Sequence, residues 1–462
     1  MANEARCRPS PMKKWPFGLP LLKAIQRDPL GAAQRLQVEY GDVAGLKILG
    51  TRIYYFFRPE AVREILIDHH KDFAKELRQL EIFRAVQGAN VITTEGETWE
   101  RQRRILTQAF TPKRIAEYIP LVAAAADKGI ENGLPDQSGQ SELIDVDRLM
   151  TRITMDVILR VLFSYQGTQE QADAASIAMR SLTRQNMREL FWPFMPPEWM
   201  PYPGRRAKMR HLSVIRSLVA AQIHARKSAV GPMSIRRDVL GMMLTACDEQ
   251  AGPSGATLSD SEVHDNCVAL FGAGHETSAT ALTWWIGLMA AYPEIAGRVR
   301  QEANVSLVNA TTPFDAVENL PFLNVTLKEA MRLYPPSTAV FSRSALRDVR
   351  IGDADIAKGS LVIIPIWSMH HDKRWFPEPD EFQPERFMPG APTIPRSAFM
   401  PFGAGPHFCL GQQFAMVEMA LIAAKLMHLY DVSLESGATL PEAVVDLVLK
   451  PKTRLHVRFA RH

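Results

Sequence analysis

Residues Phe402–Gly411 read FGAGPHFCLG, and the segment after them, QQFAMVEMALIAAKLMHLY, has the length and apolar composition of a buried helix. The single cysteine of this stretch, Cys409, is therefore predicted to lie in the first turn of that helix. Unpaired backbone N–H groups and the positive end of the helix dipole favour a negative sulfur there. The thiolate is the form of cysteine that acts as a nucleophile or binds a metal. Cys409 is therefore the first candidate for a functional residue.

The glycines around Cys409 predict a loop that bends sharply and can approach a flat partner closely, since Gly403, Gly405 and Gly411 carry no Cβ. No cysteine or histidine accompanies Cys409 at the spacing of a zinc site, so a metal here needs ligands from outside the protein. Haem iron meets that requirement, because the porphyrin nitrogens supply the remaining ligands. The alternative is a buried structural cysteine, which is the usual state of a free cysteine.

Composition and charge narrow the class of protein. The chain has 462 residues, of which 46% are hydrophobic and 23% charged, as is typical of a globular enzyme with a large core. A net charge of +4 gives no indication of nucleic-acid binding. The N-terminal stretch MANEARCRPSPMKKWPFGLPLL lacks the long apolar run of a membrane anchor or signal peptide, which predicts a cytoplasmic protein. The cysteines are too widely spaced for a disulfide framework or a zinc site, and they are Cys7, Cys247, Cys267 and Cys409.

Helical patterns dominate the chain, and neither a linker nor an internal repeat divides it. Short Pro/Gly/Ser-rich stretches lie between helical patterns and are interpreted as loops. Strand patterns are few: DVAGLKIL and TRIYYFF near the N-terminus, then VRIGDADI, SLVIIPIW and TRLHVRF near the C-terminus. We therefore predict one mainly α domain over residues 1–462 with a minor sheet, in which residues 1–40 form an N-terminal extension.

A long helix is predicted to begin near Ser259, because Ser259 and Glu262 have the spacing of a capping box. Inside it lies AGHETS, Ala273–Ser278. A glycine inside a helix costs about 1 kcal/mol relative to alanine, so Gly274 needs a compensating role. Its small size lets either a bulky ligand or a neighbouring helix approach closely, and Thr277 can bend the helix by bonding to the backbone one turn earlier. The residues alone leave both alternatives open.

Two further patterns pair polar residues on one helical face. In LKEAMRLYPP, Leu327–Pro336, Glu329 and Arg332 are three residues apart, a spacing that on its own is typical of a surface ion pair. In GETWERQR, Trp99 and Arg103 are four residues apart, which on its own is typical of a core tryptophan and a solvated arginine.

Together these stretches resemble the cytochrome P450 family, in the family's order, from about residue 41 to the ending LKPKTRLHV. The family more often has arginine where His407 stands. The resemblance implies a large helical lobe and a small β-rich lobe, with haem between a distal long helix and a proximal cysteine loop. The residues that match the family's haem-ligand loop are Phe402, Gly405, His407, Cys409 and Gly411.

The resemblance implies roles for residues on both sides of the haem. Cys409 is expected to bind the iron of haem b. Glu276 and Thr277 are the expected catalytic acid–alcohol pair of the distal helix. The other residues expected to contact the haem are Trp99, Arg103, Ala273, Gly274, Arg343, Phe402, Gly403, His407 and Gly411.

Charged residues are expected to support the haem and its loop. By resemblance, Glu329 and Arg332 form a buried cluster with Arg386 of the later motif FQPERF. Loss of one partner of such a buried pair costs about 3–5 kcal/mol. The expected partners of the haem propionates are Trp99, Arg103, Arg343 and His407.

The activity implied by the resemblance is that of a monooxygenase, which activates O₂ reductively at haem iron and inserts one oxygen atom into a C–H bond. NAD(P)H would be the indirect electron source. No flavin or iron–sulfur domain follows in the sequence, so a separate ferredoxin or flavodoxin with its reductase is expected. Arg101 and Arg104, beside Trp99 and Arg103, are predicted to dock an acidic redox partner. The protein is expected to be a monomer.

The substrate is expected to be a hydrophobic small molecule: a fatty acid or alkane, a terpenoid or a steroid. By family position, Leu270, Val340 and Phe341 line an apolar distal pocket. The segment Phe191–Gly204 concentrates aromatic residues and prolines. It is interpreted as a lid or a hydrophobic connection rather than a membrane-touching patch, because it lacks a basic amphipathic pattern.

Two alternatives remain open at this point. One is a peroxide-driven or rearranging haem-thiolate enzyme, against which the Glu276–Thr277 pair argues. The other is a non-catalytic haem sensor or electron carrier, which would not need a glycine and a threonine inside a long helix. His370 and His371 in MHHDKRWF are interpreted as a pair of loop histidines.

Overall fold

The structure is a computed structural model, and it describes residues 18–165, 169–190, 192, 200, 202–228, 237–248 and 256–462. Most of the aromatic segment 191–204, and Cys7, lie outside the described residues. Within the described part of the chain, sixteen α-helices and fourteen short strands follow one another. The prediction of a mainly α fold with a minor sheet is confirmed.

The helices account for most of the described residues. They are α1 (Leu19–Arg27), α2 (Pro29–Tyr40), α3 (Pro59–Arg63), α4 (Leu77–Gln87), α5 (Gly96–Thr107), α6 (Pro112–Gly133), α7 (Val146–Phe163), α8 (Gln169–Leu190), α9 (Arg205–Ser228), α10 (Val239–Thr245), α11 (Asp260–Ala291), α12 (Pro293–Asn309), α13 (Pro313–Glu318), α14 (Pro321–Leu333), α15 (Ile366–His370) and α16 (Gln412–Leu429).

The strands are short. They are β1 (Val43–Ile48), β2 (Thr51–Phe56), β3 (Phe73–Lys75), β4 (Ser141–Asp145), β5 (Cys247–Asp248), β6 (Ala256–Thr257), β7 (Arg343–Ala345), β8 (Val349–Ile351), β9 (Ala354–Ile356), β10 (Leu361–Ile363), β11 (Tyr430–Ser433), β12 (Ala443–Asp446), β13 (Val448–Pro451) and β14 (His456–Arg461). All five predicted strand patterns contain strands. The three-residue strands β3 and β7 were not predicted, because so short a run shows no periodicity.

The strands form one main sheet and several smaller pairings. The main sheet has the order β1-β2-β10-β7-β3, in which β2 and β10 are parallel and the other neighbours are antiparallel. A second sheet has the order β11-β14-β4, and β5–β6, β8–β9 and β12–β13 are separate hairpins. The largest hydrophobic core lies among the helices, whereas two smaller cores lie at the main sheet. A helical lobe and a smaller β-rich lobe follow from this separation.

Helix α11 runs through the helical lobe and positions much of the candidate site. It begins as predicted: the Ser259 hydroxyl accepts from the Glu262 backbone N–H, and the Glu262 carboxylate accepts from the Ser259 N–H. Its main partner is α7, and it also packs on α14 and α16. Since α11 is buried over most of its length, an accessible residue in its middle marks a functional face.

The predicted N-terminal extension is partly integrated into the fold. Helices α1 and α2 pack on β1, and α2 buries Ala32, Ala33 and Leu36. Pro29 begins α2, and the Asp28 carboxylate accepts from the Gly31 N–H as its N-cap. Among the described residues, no helix is long and apolar enough to cross a membrane.

Candidate functional site

The cysteine loop precedes α16 rather than forming its first turn. Gly411 is the N-cap of α16, so Cys409 lies two residues before the cap, and the predicted position in the first turn is wrong. The Cys409 N–H donates to the Phe402 carbonyl at 2.9 Å, which closes the loop on itself. The Gly403 N–H donates to the Met400 carbonyl at 3.0 Å, which anchors the start of the loop.

The loop glycines have different roles. Gly405 has φ 71°, and a Cβ there would lie 1.9 Å from the Leu66 carbonyl oxygen, so no other residue fits. Gly403 also has a positive φ, 75°, but no atom restricts its open side. Gly411 has φ −89°, which any residue adopts. The close approach that requires a glycine is therefore to the backbone at Leu66.

The sulfur of Cys409 is solvent-accessible even though protein surrounds it. Burial raises the pKa of its thiol, while the Gly411 N–H and the Arg103 charge act in the opposite direction. In the protein without a bound metal, the positive end of the helix therefore does not lower the pKa of the thiol enough to offset the effect of burial. Because metal coordination deprotonates a thiol outright, this environment fits a sulfur that binds a metal.

The accessible face of α11 is formed by Ala273 and Thr277, one turn apart in an otherwise buried stretch. The Thr277 hydroxyl donates to the Ala273 carbonyl at 2.9 Å, which is the backward bond expected from the sequence. Gly274 points elsewhere, because a Cβ there would lie 2.6 Å from Cδ1 of Ile158 in α7. The close helix crossing therefore explains why this position has no side chain, and the predicted contact of Gly274 with a haem stays a prediction.

Glu276 is buried and faces away from the accessible face formed by Ala273 and Thr277. Its carboxylate forms an ion pair with Lys450 of β13 and accepts from the Thr183 hydroxyl of α8 at 3.2 Å. Burial acts to raise the pKa of Glu276, but Lys450, together with His275 and Arg180, outweighs it, so the net effect lowers that pKa. The carboxylate is therefore ionised and tied to the hairpin β12–β13.

Positively charged side chains concentrate around the ring of His407. The rings of Trp99 and His407 lie 4.0 Å apart, and Arg103 lies over the Phe408 ring at 4.7 Å. Burial, together with Lys75, Arg343 and Arg103, lowers the pKa of His407 to about 3, so this ring is neutral. Burial also lowers the pKa of Arg343 to about 10. Several positive charges thus surround one neutral ring.

Lys75 belongs to this cluster and was not predicted from the sequence. It is 6% exposed, and its Nζ donates to the carbonyls of Ile92 and Thr94 at 2.8 and 3.0 Å. Burial lowers its pKa to about 8, although Glu95 lies 3.5 Å away. The available signal was the lysine that ends the short strand FAK, directly after two apolar residues.

The cation cluster, formed by Lys75, Arg103 and Arg343 around the neutral ring of His407, fits a buried dianion. Positive groups that are taken out of water without enough carboxylates need a negative partner. The Arg343 Nη1 donates to the Phe341 carbonyl at 2.6 Å, so its guanidinium is already oriented. The two propionates of a haem would supply the missing charge, and the accessible sulfur of Cys409 could serve as an iron ligand. The residues present therefore fit this group.

The predicted cluster of Glu329, Arg332 and Arg386 is assembled in the structure. Arg332 donates to both oxygens of Glu329, at 2.7 and 2.8 Å, and both side chains are fully buried. Arg386 Nε lies 3.4 Å from Glu329, an ion-pair contact rather than a hydrogen bond. The remaining donors of Arg332 bind the carbonyls of His370, Pro379 and Glu381.

The predicted docking arginines are engaged within the molecule. Arg101 forms an ion pair with Glu262 and donates to the Thr257 carbonyl. Arg104 binds Asp248 through Nε and Nη2 at 3.1 and 2.7 Å. Both residues therefore tie α5 to the β5–β6 strands and the start of α11, and their predicted role in docking an acidic redox partner stays a prediction.

The predicted pocket residues are partly buried. Leu270 precedes Ala273 by one turn in α11, and Val340 donates its backbone N–H to the Ile364 carbonyl at 3.1 Å. The Phe341 ring lies 5.6 Å from the ring of Phe83 in α4. Helix α4 and the chain segment before β7 thus present neighbouring apolar groups.

Comparison with known proteins identifies relatives over nearly the whole chain. The family model described as Cytochrome P450 matches residues 9–458. A protein named cyclooctat-9-en-7-ol 5-monooxygenase, from Streptomyces melanosporofaciens, is 28% identical over 445 residues, which cover 94% of each chain. A cytokinin hydroxylase of Arabidopsis thaliana is 30% identical over 403 residues, which cover 85% of this chain and 76% of the relative.

Proposed function

This chain belongs to the cytochrome P450 family, and from that premise we propose that it is a haem-thiolate monooxygenase with Cys409 as the iron ligand. Family membership confirms the predicted fold and enzyme class and implies a haem prosthetic group. The observation that carries the assignment of the ligand is the accessible sulfur of Cys409 beside the cation cluster. Glu329, Arg332 and Arg386 are proposed to support the loop as a buried charge cluster.

Haem that is bound at Cys409 supplies the redox chemistry by which one atom of O₂ enters a substrate C–H bond. The cation cluster and Trp99 would hold the propionates, since arginine pairs well with carboxylates. The cysteine loop presents the sulfur through the bonds of Phe402 and Gly403, and Gly411 N–H stabilises its charge. Ala273 leaves room on the distal face because its side chain is a single methyl group.

Thr277 is proposed to control the proton at the distal face. In the resting structure the Thr277 hydroxyl donates a hydrogen bond to the Ala273 carbonyl. Because a hydroxyl can donate and accept, it could turn away from that carbonyl, give its proton and take another from a donor beside it. Glu276 is proposed to resupply that proton. Its carboxylate is held by Lys450 and Thr183, so it reaches Thr277 after a side-chain rotation or through water.

The substrate is proposed to be a hydrophobic small molecule that binds among Leu270, Val340 and Phe341. Their apolar side chains lie near the accessible face of α11 or beside α4, where they can exclude water. One relative is named for cyclooctat-9-en-7-ol and another for cytokinin, and these names do not select one substrate class. Fatty acids or alkanes, terpenoids and steroids remain the classes to be compared.

The remaining partners are proposals as well. NAD(P)H is proposed as the indirect electron source, with a ferredoxin or flavodoxin and its reductase as carriers. We place the protein in the cytoplasm as a monomer made of a single haem domain. The absence of a spanning helix among the described residues is compatible with that placement.

An experiment in two steps tests the function. Optical titration of the ferric protein with fatty acids, terpenes, steroids and aromatics identifies ligands that shift the spin state. The selected compound is then incubated with redox partners, NAD(P)H and isotopically labelled O₂. The proposal expects one labelled oxygen atom in the product. Unlabelled product, or none from any compound that shifts the spin state, would contradict it.

A peroxide-driven enzyme is the second candidate, because the Glu276 carboxylate is occupied by Lys450 and Thr183 rather than turned towards Thr277. Such an enzyme needs no proton delivery from that carboxylate. Product formation with hydrogen peroxide alone, at a rate equal to or above that with NAD(P)H and redox partners, would favour this candidate.

A further inference from the structure

His370 closes α15 and connects the Glu329–Arg332 ion pair to the cysteine loop. Its side chain is fully buried. Its Nε2 accepts from the Met400 backbone N–H at 3.0 Å, and its Nδ1 lies 3.3 Å from the Arg332 carbonyl oxygen. The interpretation of His370 as a loop histidine is therefore wrong, because it is the last residue of α15.

These contacts determine the tautomer of His370. The Met400 N–H can only donate, so Nε2 carries a lone pair, and the proton lies on Nδ1, from which it is donated to the Arg332 carbonyl. A charged ring would have no acceptor to offer Met400. Burial and the nearby Arg332 lower the pKa of His370 to about 3, which keeps the ring neutral.

Arg332 and His370 bind each other in both directions. The Arg332 Nη1 donates to the His370 carbonyl at 2.9 Å, while the His370 ring donates to the Arg332 carbonyl. The histidine is thereby fixed to the most buried ion pair of α14. Its ring is also packed, stacked on Phe399 at 5.3 Å and edge-on to Phe376 at 6.3 Å.

From His370 the hydrogen bonds continue into the loop. Met400, whose N–H is held by the ring, accepts from the Gly403 N–H at 3.0 Å. Phe402, which lies between these two residues in the chain, accepts from the Cys409 N–H at 2.9 Å. The position of Cys409 is therefore linked to α14 through a short series of backbone contacts that starts at one imidazole.

We propose that His370 is a positioning residue for the haem-ligand loop, in which the Nδ1–H tautomer couples Arg332 to Met400 and so holds Cys409 in place to bind iron. The inference rests on the proposed role of Cys409. Histidine suits the position because one rigid ring accepts at Nε2 and donates at Nδ1. The ring therefore bridges two backbone groups on different chain segments at a fixed distance.

The neighbouring His371 provides a matched control. It is a histidine of the same segment, its Nδ1 lies 2.9 Å from the Trp367 carbonyl, and its ring stacks on Trp367 at 4.1 Å. Both contacts stay within one turn of chain. Replacement of His371 therefore removes a ring of the same kind without a link between α14 and the cysteine loop.

The test compares His370→Ala, His370→Gln, His370→Asn and His371→Ala in the haem-loaded protein. The readouts are the Soret band of the reduced carbon monoxide complex, the haem bound per chain and the melting temperature. At equal haem content, His370→Ala should lose most of the red-shifted band, whereas His371→Ala should keep it. Glutamine can accept from Met400 and should recover more of the band than asparagine, which reaches only the Arg332 carbonyl.

The outcomes separate the inference from the proposed function. If wild type shows the red-shifted band and Cys409→Ser loses it, Cys409 is the ligand. The inference is then overturned if His370→Ala keeps a wild-type band, or if it loses no more of the band than His371→Ala at equal haem content. If His370→Ala does not fold, the decision passes to the two amide variants, and equal bands for glutamine and asparagine overturn the inference.

Discussion

Two buried glutamates, Glu329 and Glu276, each face a cation, but they are held in different ways. Glu329 binds Arg332 three residues along the same helix, and all five N–H donors of that guanidinium are used. Glu276 binds Lys450 from a distant hairpin, and Thr183 adds one further hydrogen bond. The first pair is a fixed support on the side of the cysteine loop. The second pair can open at the cost of few contacts.

This difference agrees with the proposed tasks of the two regions. A metal ligand has to stay in one place, so its support is saturated with hydrogen bonds. A proton source has to move or exchange its partner, so a single ion pair between Glu276 and Lys450 is sufficient. The predictions below test this contrast, beginning with the largest expected effect on stability.

Arg332→Ala should destabilise the protein most, because it leaves the Glu329 carboxylate buried without its cation. We expect a loss of about 3–5 kcal/mol in the free energy of unfolding and a low haem content. Urea unfolding and pyridine haem quantification measure both. The control is Arg350→Ala, since Arg350 and Asp353 have the same three-residue spacing but are 65% and 71% exposed. The Arg350→Ala variant should lose less than about 1 kcal/mol in the free energy of unfolding. Equal losses for the two variants would contradict the difference between the buried pair and the exposed pair.

Glu418 shows what a buried carboxyl does without a cation. It accepts from the Ser278 hydroxyl at 2.8 Å, and burial raises its pKa to about 8. The folded state therefore holds a proton that the unfolded state releases above about pH 4.5. The contribution of Glu418 to stability is present at low pH and declines by about 1.4 kcal/mol per pH unit up to about pH 8. Glu418→Gln should abolish that decline, as urea unfolding from pH 5 to 8 would show. A wild-type slope in the variant would refute the assignment.

Lys450→Gln should destabilise less than Arg332→Ala, by about 1–3 kcal/mol, because Glu276 can take up a proton. In wild type Lys450 lowers the pKa of Glu276, so that pair stabilises the fold above the ordinary glutamate pKa. Without Lys450, burial raises the pKa of Glu276, and stability falls as pH rises through it. The gap between wild type and variant should therefore widen from pH 5 to pH 8. Lys452→Gln, which breaks an exposed pair with Glu442, should show no such gap. A gap that stays constant with pH would contradict the account.

Thr277→Ala should have the smallest effect on stability, because the hydroxyl bonds only to its own helix at Ala273. Haem binding and the spin shift with substrate should persist. Product formed per NAD(P)H should fall by at least about tenfold, with the missing electrons found as hydrogen peroxide. Thr283→Ala is the control, since Thr283 makes the same backward bond at 2.8 Å but faces the core. Unchanged coupling in Thr277→Ala would mean that protons arrive by another route.

The local parts of the site could be predicted from the sequence. The capping box of Ser259 and Glu262, and the pairing of Glu329 with Arg332, depend on residues three apart, so one helical turn determines them. The cysteine loop was recognisable because its residues are contiguous. The position of Cys409 relative to the start of α16 was predicted wrongly, because the glycine at the N-cap, Gly411, gave no capping signal.

The remaining contacts depend on partners that are distant in the sequence. Lys450 reaches Glu276 across 174 residues, and Met400 meets His370 across 30. Neither Lys450 nor Met400 lies in a periodic sequence pattern that would indicate its partner. Gly274 was ambiguous for the same reason, because only the placement of Ile158 shows the close helix crossing. Tertiary placement, rather than local propensity, determines these parts of the site.

The most direct test of the account is the reduced carbon monoxide spectrum of Cys409→Ser against wild type. Wild type should show the strongly red-shifted Soret band of a thiolate-bound haem, and the serine variant should lose it, because the hydroxyl cannot supply a thiolate ligand. The cation cluster and the Glu329–Arg332 pair are unchanged in this variant, so any haem that remains reports on the ligand alone. A red-shifted band that survives in Cys409→Ser would contradict the central claim that this loop holds the iron.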